Sequence, residues 1–411
     1  MRVIVTCTEL SPKRLGGPGV MMELLLQQNN SSQNENNIPM TVVFRERYFK
    51  SFAELENVKK LPLRNNFKVN SIPYWVDTAT GRTRYVLTLL ASIRGRDSHL
   101  ILNCHDFVSS YLCHILFHGR YPLIQTVHAK GGVVREAFND NPSLIGSFWG
   151  KIAKHVEWTS ISKADVVTFT SNGSRQLFEE QHPGLLNNKD VRVIYAGVDL
   201  NELASIPIDR DVRKKYAIPE NAFLFVSVAA LVSDKGLENL IEAIALLPSE
   251  IRSNVRCLIV GRDGPLRKKL ESTIIEKGLQ NTVLLVGFME RSDLVNLMRE
   301  ATAFVLTPRV SVFDHVLLEV GALGTPIITT AVGGNLEMFD AESAILIPPG
   351  DSRALVSALL DILKDDERRK RLGMNVQKRI RSLFTVRTLY NSFQNLYLEL
   401  DKKGELGKLS T

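Results

Sequence analysis

The sequence predicts an α/β protein made of two doubly wound, parallel-sheet domains. Three observations carry that reading: short β-branched runs alternate with longer amphipathic stretches, the alternation restarts near mid-chain, and Gly-rich turns follow strand runs in both halves. The chain has 411 residues, which at roughly 100 to 200 residues per domain favours two or three domains over one. Hydrophobic residues make up 44% and charged residues 23%, an ordinary balance that excludes a disordered scaffold. Lys and Arg number 51 against 44 Asp and Glu, a net charge of +7 spread along the chain. That excess favours anionic partners and does not require nucleic acid.

The elements follow in order. Val3-Ile4-Val5 opens the first strand; the segment around it lacks the long apolar core and the cleavage site of a signal peptide. Thr41-Val42-Val43-Phe44, His99 to Leu102, Leu123 to Val127, Val166 to Phe169 and Val191 to Ile194 continue the first sheet. A solvated Asn/Gln/Ser-rich loop, 27–39, separates the first helix from the second strand. The pattern restarts at Phe223 to Val228 and runs through Arg256 to Val260, Val283 to Val286, Ala303 to Leu306, Pro326 to Thr329 and Ala344 to Ile347. Pro207 and Pro219 punctuate the join, giving domains 1–205 and 206–385 and a terminal helix, 386–411, expected to return toward the first domain. Leu237, Leu240, Ile241 and Ile244 fit helical spacing, with Ser233 or Asp234 near the N-cap and Lys235 in the first turn.

No run of about 18 apolar residues occurs, so no spanning helix is expected. Four scattered cysteines without a CxxC pair point to reduced thiols and a cytoplasmic location. The basic run Arg368 to Arg381 is mixed with Asp365, Asp366 and Glu367 and has no aromatic platform, so it reads as a solvated helix face. Arg82 to Arg96 sets four arginines around an apolar stripe. A core helix with basic ends is the preferred reading there, and a peripheral contact with the inner membrane surface is the alternative.

Three features carry chemistry. Leu15-Gly16-Gly17-Pro18-Gly19 follows the first strand and precedes a helix, where backbone N–H groups can meet an anion; a plain tight turn is the other reading. It does not match GxGxxG, so a nicotinamide or flavin cofactor is not indicated. Gly261-Arg262-Asp263-Gly264-Pro265 ends a strand in the second half, on the side where open parallel sheets bind ligands. Ser311 to Glu319, followed by Gly324-Thr325-Pro326 and Gly333-Gly334-Asn335, places a glutamate among apolar residues near a helix start. Such a carboxylate needs a hydrogen-bond partner, and a pair of ligand hydroxyls is one.

Taken in order, Ala229-Ala230-Leu231-Val232-Ser233-Asp234-Lys235-Gly236, Gly264-Pro265-Leu266-Arg267 and Glu319 leading to Gly324-Thr325-Pro326 resemble the donor domain of the family 4 retaining glycosyltransferases, which have the GT-B fold. Gly16-Gly17, Thr126-Val127-His128 and Val193 to Asp199 agree in the first half. The resemblance implies two Rossmann-like domains facing a cleft, and transfer of a sugar from a UDP-, GDP- or ADP-type nucleotide sugar with retention and no metal or other cofactor. It implies that Glu319 holds the ribose hydroxyls and Lys235 the diphosphate. Gly16, Gly17 and the backbone at His315, Val316 and Leu317 would cap the phosphates, and His128 would line the sugar and acceptor site. The acceptor would be a glycan, a lipid-linked molecule or a small molecule.

Two positions depart from the family pattern. Its first glutamate, which grips the donor sugar, falls on Ser311, and its arginine, which shares the diphosphate, falls on Ala230. Loss of one such charged contact costs about 2 to 4 kcal/mol, with Arg309, Arg262 and Asp314 as candidates to compensate. The expectation is a working glycosyltransferase of polysaccharide or glycoconjugate synthesis. A degenerate GT-B subunit that partners an active glycosyltransferase is the rival, and a nucleotide-sugar epimerase is disfavoured for want of a carboxylate-rich cleft.

Overall fold

The computed structural model describes residues 1–7, 21–22, 24–25, 28, 38, 40–44, 99–128, 131–132 and 146–409. The chain divides into one unit of Met1–Tyr195 with Arg387–Thr411 and another of Ala196–Val386. Gly16, Gly17 and the 82–96 stretch lie outside the described residues.

In the first unit, β1 (Arg2–Cys7), β2 (Met40–Phe44), β3 (Leu100–Cys104), β4 (Leu123–Val127), β5 (Val166–Phe169) and β6 (Asp190–Val193) form one parallel sheet. Their order is β2-β1-β3-β4-β5-β6. The helices α1 (Phe107–Phe117), α2 (Phe148–Lys163) and α3 (Asn172–Gln181) each begin behind a side-chain cap from Asp106, Ser147 or Ser171, which satisfies an otherwise orphaned N–H. Strands β3, β4 and β5 are buried along their whole length, as crossover helices on both faces require. Their interior polar groups pair sideways: Thr168 and Thr126 hydroxyls meet at 2.8 Å, Thr126 donates to Asn103 at 3.2 Å, and Asn103 donates to the Tyr397 hydroxyl at 2.7 Å.

In the second unit, α4 (Leu200–Ser205) precedes β7 (Phe223–Val228), α5 (Leu237–Leu246), β8 (Val255–Val260), α6 (Arg267–Glu276), β9 (Val283–Gly287) and α7 (Arg291–Glu300). Then come β10 (Ala303–Leu306), α8 (His315–Leu323), β11 (Ile327–Thr330), β12 (Ile345–Ile347), α9 (Ser352–Lys364) and α10 (Asp366–Leu383). The sheet order is β12-β11-β10-β7-β8-β9, parallel throughout. The last helix, α11 (Val386–Leu409), buries Leu389, Tyr390, Phe393, Leu396 and Tyr397 with Val3, Val5 and Ile101 of the first unit's core.

Two details differ from the sequence reading. Residues 196–205, assigned there to the first domain, sit in the second unit, because Glu202 is bonded to Arg291 and the Leu203 carbonyl accepts from Arg299 at 2.7 Å. The N-cap of α5 is Gly236, and Lys235 ends a 3₁₀ turn, Ser233–Lys235, ahead of the helix. Gly236 takes a left-handed φ of 59°, and a Cβ there would lie 2.2 Å from the Thr307 carbonyl oxygen. Only glycine allows this turn, so the helix starts after the lysine.

Candidate active site

In open parallel sheets, ligands bind beyond the carboxyl ends of the strands, where the winding direction reverses. From β7 the second unit's chain winds to β8 and β9 on one side and then to β10, β11 and β12 on the other. Its switch point therefore lies between β7 and β10. The loop after β7 carries Lys235, and the loop after β10 carries Ser311 and Asp314.

These two loops are tied by charge. Lys235 Nζ lies 2.5 Å from Asp314 Oδ1, and both side chains are mostly shielded from solvent. The other Asp314 oxygen is 2.8 Å from Ser311 Oγ, which is also 3.2 Å from Asn335 Oδ1. The Asn335 amide donates to Thr329 Oγ1 and the Thr330 carbonyl, both at 3.1 Å. Its oxygen is thereby turned toward the serine, and one hydroxyl proton faces two acceptors. Gly333, at φ 47°, lets its loop close on Ser311, since a Cβ there would fall 1.9 Å from the Ser311 carbonyl oxygen.

Asp314 stands at the N-cap of α8 without capping it. Its carboxylate is spent on Lys235 and Ser311, while its carbonyl accepts from the Leu317 N–H at 3.0 Å. The N–H groups of His315 and Val316, two of the three sequence-predicted phosphate caps, lie in the first turn of α8, at the helix's positive end. Burial holds the His315 imidazole down at about 4, with the Asp314 charge opposing, so the ring is neutral at pH 7.

Glu319 is held by a different partner. Arg291 grips it with a two-pronged fork, Nη1 to Oε2 at 2.8 Å and Nη2 to Oε1 at 2.9 Å. The same guanidinium reaches Glu202 through Nε at 3.1 Å and Nη2 at 2.9 Å. The two carboxylates outweigh burial and raise the arginine's pKa. The fork therefore fixes the orientation of the Glu319 carboxylate.

The first unit's switch point lies between β1 and β3. His105 follows β3 directly, its N–H donating to the Thr6 carbonyl at 2.9 Å, and His128 follows β4. Their ring nitrogens Nδ1 and Nε2 are 3.0 Å apart and the rings stack at 5.2 Å. His105 is 2% exposed, its Nε2 has no hydrogen-bond partner among the described residues, and burial pushes its pKa down to about 3.

Of the sequence-predicted residues, Lys235 and Ser311 meet through Asp314, Glu319 is held on the same helix that starts beside them, and His128 sits in the other unit. The sequence reading missed His105 and Arg291. His105 had a signal, a histidine at a strand's carboxyl end next to the switch point. Arg291 had none, because its fork to Glu319 spans 28 residues.

The second unit matches the profile of the glycosyl transferases group 1 over residues 209–379, and residues 34–202 match that of Glycosyltransferase Family 4. The chain belongs to the family 4, group 1 glycosyltransferases. This glycosyltransferase is 23% identical over 328 residues to N-acetyl-alpha-D-glucosaminyl L-malate synthase of Bacillus anthracis, covering 78% of this chain and 80% of that protein. It is 30% identical over 187 residues to O-antigen chain mannosyltransferase C of Escherichia coli, covering 44% and 48%. Among solved structures, sucrose-phosphate synthase from Thermosynechococcus elongatus superposes with a TM-score of 0.74 at 21% identity, over 97% of this chain and 99% of that one. Anabaena HepE in complex with UDP superposes with a TM-score of 0.72 at 19% identity, over 97% and 100%. The glycosyltransferase thus has the GT-B fold. No described helix is long and apolar enough to cross a membrane.

Proposed function

We propose that this glycosyltransferase transfers a hexosyl group from a nucleotide diphosphate sugar, with retention, to a glycan, lipid-linked or small-molecule acceptor in the cytoplasm. The observation that carries the reading is the placement of Lys235 on the loop after β7 and of the first turn of α8 at the end of the loop after β10, the two loops that flank the second unit's switch point. In this reading the departing nucleotide spreads negative charge over its phosphates. Lys235 and the N–H groups of His315 and Val316 meet that charge where it develops. Glu319, fixed by Arg291, accepts from the ribose hydroxyls. Ser311 and Asp314 face the sugar, and His105 with His128 marks the acceptor-binding edge of the first unit. Support for a UDP-type donor comes from HepE, solved with UDP and with UDP-glucose.

The test is calorimetry over UDP, GDP, ADP and their common sugars, followed by NMR of the product's anomeric centre. The expected result is one nucleotide sugar that binds more tightly than its bare nucleotide and yields a product of unchanged anomeric configuration. Binding by none of them overturns the proposal. Binding of nucleotides with no gain from the sugar and no turnover supports a partner subunit instead.

A further inference from the structure

Helix α2 exposes a face that a water-facing crossover helix does not ordinarily carry. Phe148 is 70% exposed, Trp149 67% and Trp158 56%, with Ile152 beside them. Large aromatics in water are unfavourable, and a contiguous exposed set marks an interaction surface. Phe148, Ile152 and His155 follow one helical row, with Trp149, three residues before Ile152, on one flank of it and Trp158, three after His155, on the other. The Phe148 and Trp149 rings meet edge to face at 5.6 Å. The opposite side, with Gly150, Glu157 and Ile161, is buried and anchors the helix to the unit's core.

The charges on the helix are one-sided. Lys151, Lys154 and Lys163 are exposed, and the helix's one acidic residue, Glu157, is buried, where it lies 3.6 Å from His182. Tryptophan and phenylalanine ringed by lysines match an anionic lipid–water interface. The rings enter the acyl boundary and the lysine stems lie along it with their ammonium groups among the phosphates. A second copy of the same face would bring like charges together, which disfavours self-association through it. Because α2 links parallel strands β4 and β5, it runs against them, and its Phe148–Trp149 end points to the sheet edge that carries His105 and His128.

We propose that the exposed face of α2 docks this glycosyltransferase on an anionic membrane surface through Phe148, Trp149, Ile152 and Trp158, with Lys151 and Lys154 binding lipid phosphates. The surface is independent of the donor-site reading, and its test uses no sugar substrate.

The full chain is sedimented with vesicles of phosphatidylcholine alone and of equimolar phosphatidylcholine and phosphatidylglycerol, at low and high salt. The expected result is binding to the anionic vesicles that weakens with salt. Phe148→Ser with Trp149→Ser should lower partitioning by about tenfold or more, and Lys151→Glu with Lys154→Glu should abolish the preference for phosphatidylglycerol. In a Trp75→Phe background, emission from Trp149 and Trp158 should shift to the blue on the anionic vesicles. Unchanged far-ultraviolet dichroism and melting temperature show that each variant still folds. Absence of binding at low salt, or binding that neither double variant alters, overturns the proposal. So does concentration-dependent self-association that both variants abolish while vesicles are ignored, which would make the face a protein interface.

Discussion

The ammonium of Lys235 is 2.5 Å from the carboxylate of Asp314, so the cation offered to a diphosphate is already engaged by an anion of the chain itself. An incoming phosphate must take the lysine from Asp314 and lies near that negative charge when it does. Asp314→Asn should therefore tighten binding of a free nucleotide diphosphate by about 1 to 2 kcal/mol, the scale of a charged hydrogen bond between shielded groups. Lys235→Ala should weaken the diphosphate strongly and the nucleoside little, since lysine acts as a point charge. Calorimetry with UDP and uridine on both variants checks this. Equal losses for UDP and uridine would move Lys235 out of the phosphate site.

Glu319→Ala should weaken nucleotide binding by about 1 to 3 kcal/mol, the value of a charged acceptor on ribose hydroxyls. Its effect on folding should stay within about 1 kcal/mol, because Arg291 is partly solvent-exposed and keeps Glu202. Arg291→Met should likewise weaken binding, by freeing Glu319 to leave its fixed orientation. Chemical denaturation alongside calorimetry separates the two effects, and an Arg291→Met variant with full affinity would show that the fork does not position the glutamate.

The strands of both sheets were legible as β-branched runs because fully buried parallel strands carry apolar side chains on both faces. Lys235 and Glu319 were singled out through the resemblance to the family, and the structure sets them on the loop after β7 and on α8. The α5 cap was not legible: apolar periodicity locates a helix's buried face, whereas its first residue was set by the Thr307 carbonyl packing on Gly236. Nor were the partners of the charges. Asp314 meets Lys235 across 79 residues and Arg291 meets Glu319 across 28, distances at which only the winding of the sheet decides which charges meet.

Gly236→Ala should destabilise the second unit by roughly 1 to 3 kcal/mol, since it combines a left-handed φ with a collision at the Thr307 carbonyl. It should also cost diphosphate affinity by shifting the adjacent lysine. Denaturant midpoints and UDP titration read the two effects, and wild-type values for both would show that the turn can relax without moving Lys235.

Acid should destabilise the first unit through His105. Its pKa falls from 6.5 unfolded to about 3 folded through burial, so the unfolded chain binds the proton first as pH drops. The stabilisation is complete above 6.5 and is lost as pH falls toward 3, by about 2 kcal/mol at pH 5. His315, lowered to about 4, acts in the same sense in the second unit. His182 acts oppositely, because the nearby Glu157 carboxylate raises its pKa, and its contribution is present at low pH and lost as pH rises. Denaturation of the wild type and a His105→Asn variant between pH 7 and 5 should show a shallower acid slope in the variant, and parallel slopes would refute the assignment.

Ser311→Glu separates a working enzyme from a degenerate subunit. Ser311 is 1% exposed and its hydroxyl faces two acceptors, Asp314 Oδ2 and Asn335 Oδ1. A glutamate there would set a second carboxylate against Asp314 with no donor between them, at a cost of several kcal/mol. In a site built around the serine, turnover should fall and the unfolding midpoint should drop, and adding Asp314→Gly should recover the midpoint by removing the facing charge. In a subunit that has lost its sugar grip, the double variant should gain affinity for the nucleotide sugar over the bare nucleotide, a gain the parent lacks. Titration of UDP and UDP-glucose into the parent and both variants distinguishes these results. Sugar-dependent affinity already present in the parent and lost on Ser311→Glu is the outcome expected of the enzyme, with Asp314 supplying from the next turn the carboxylate that Ser311 does not.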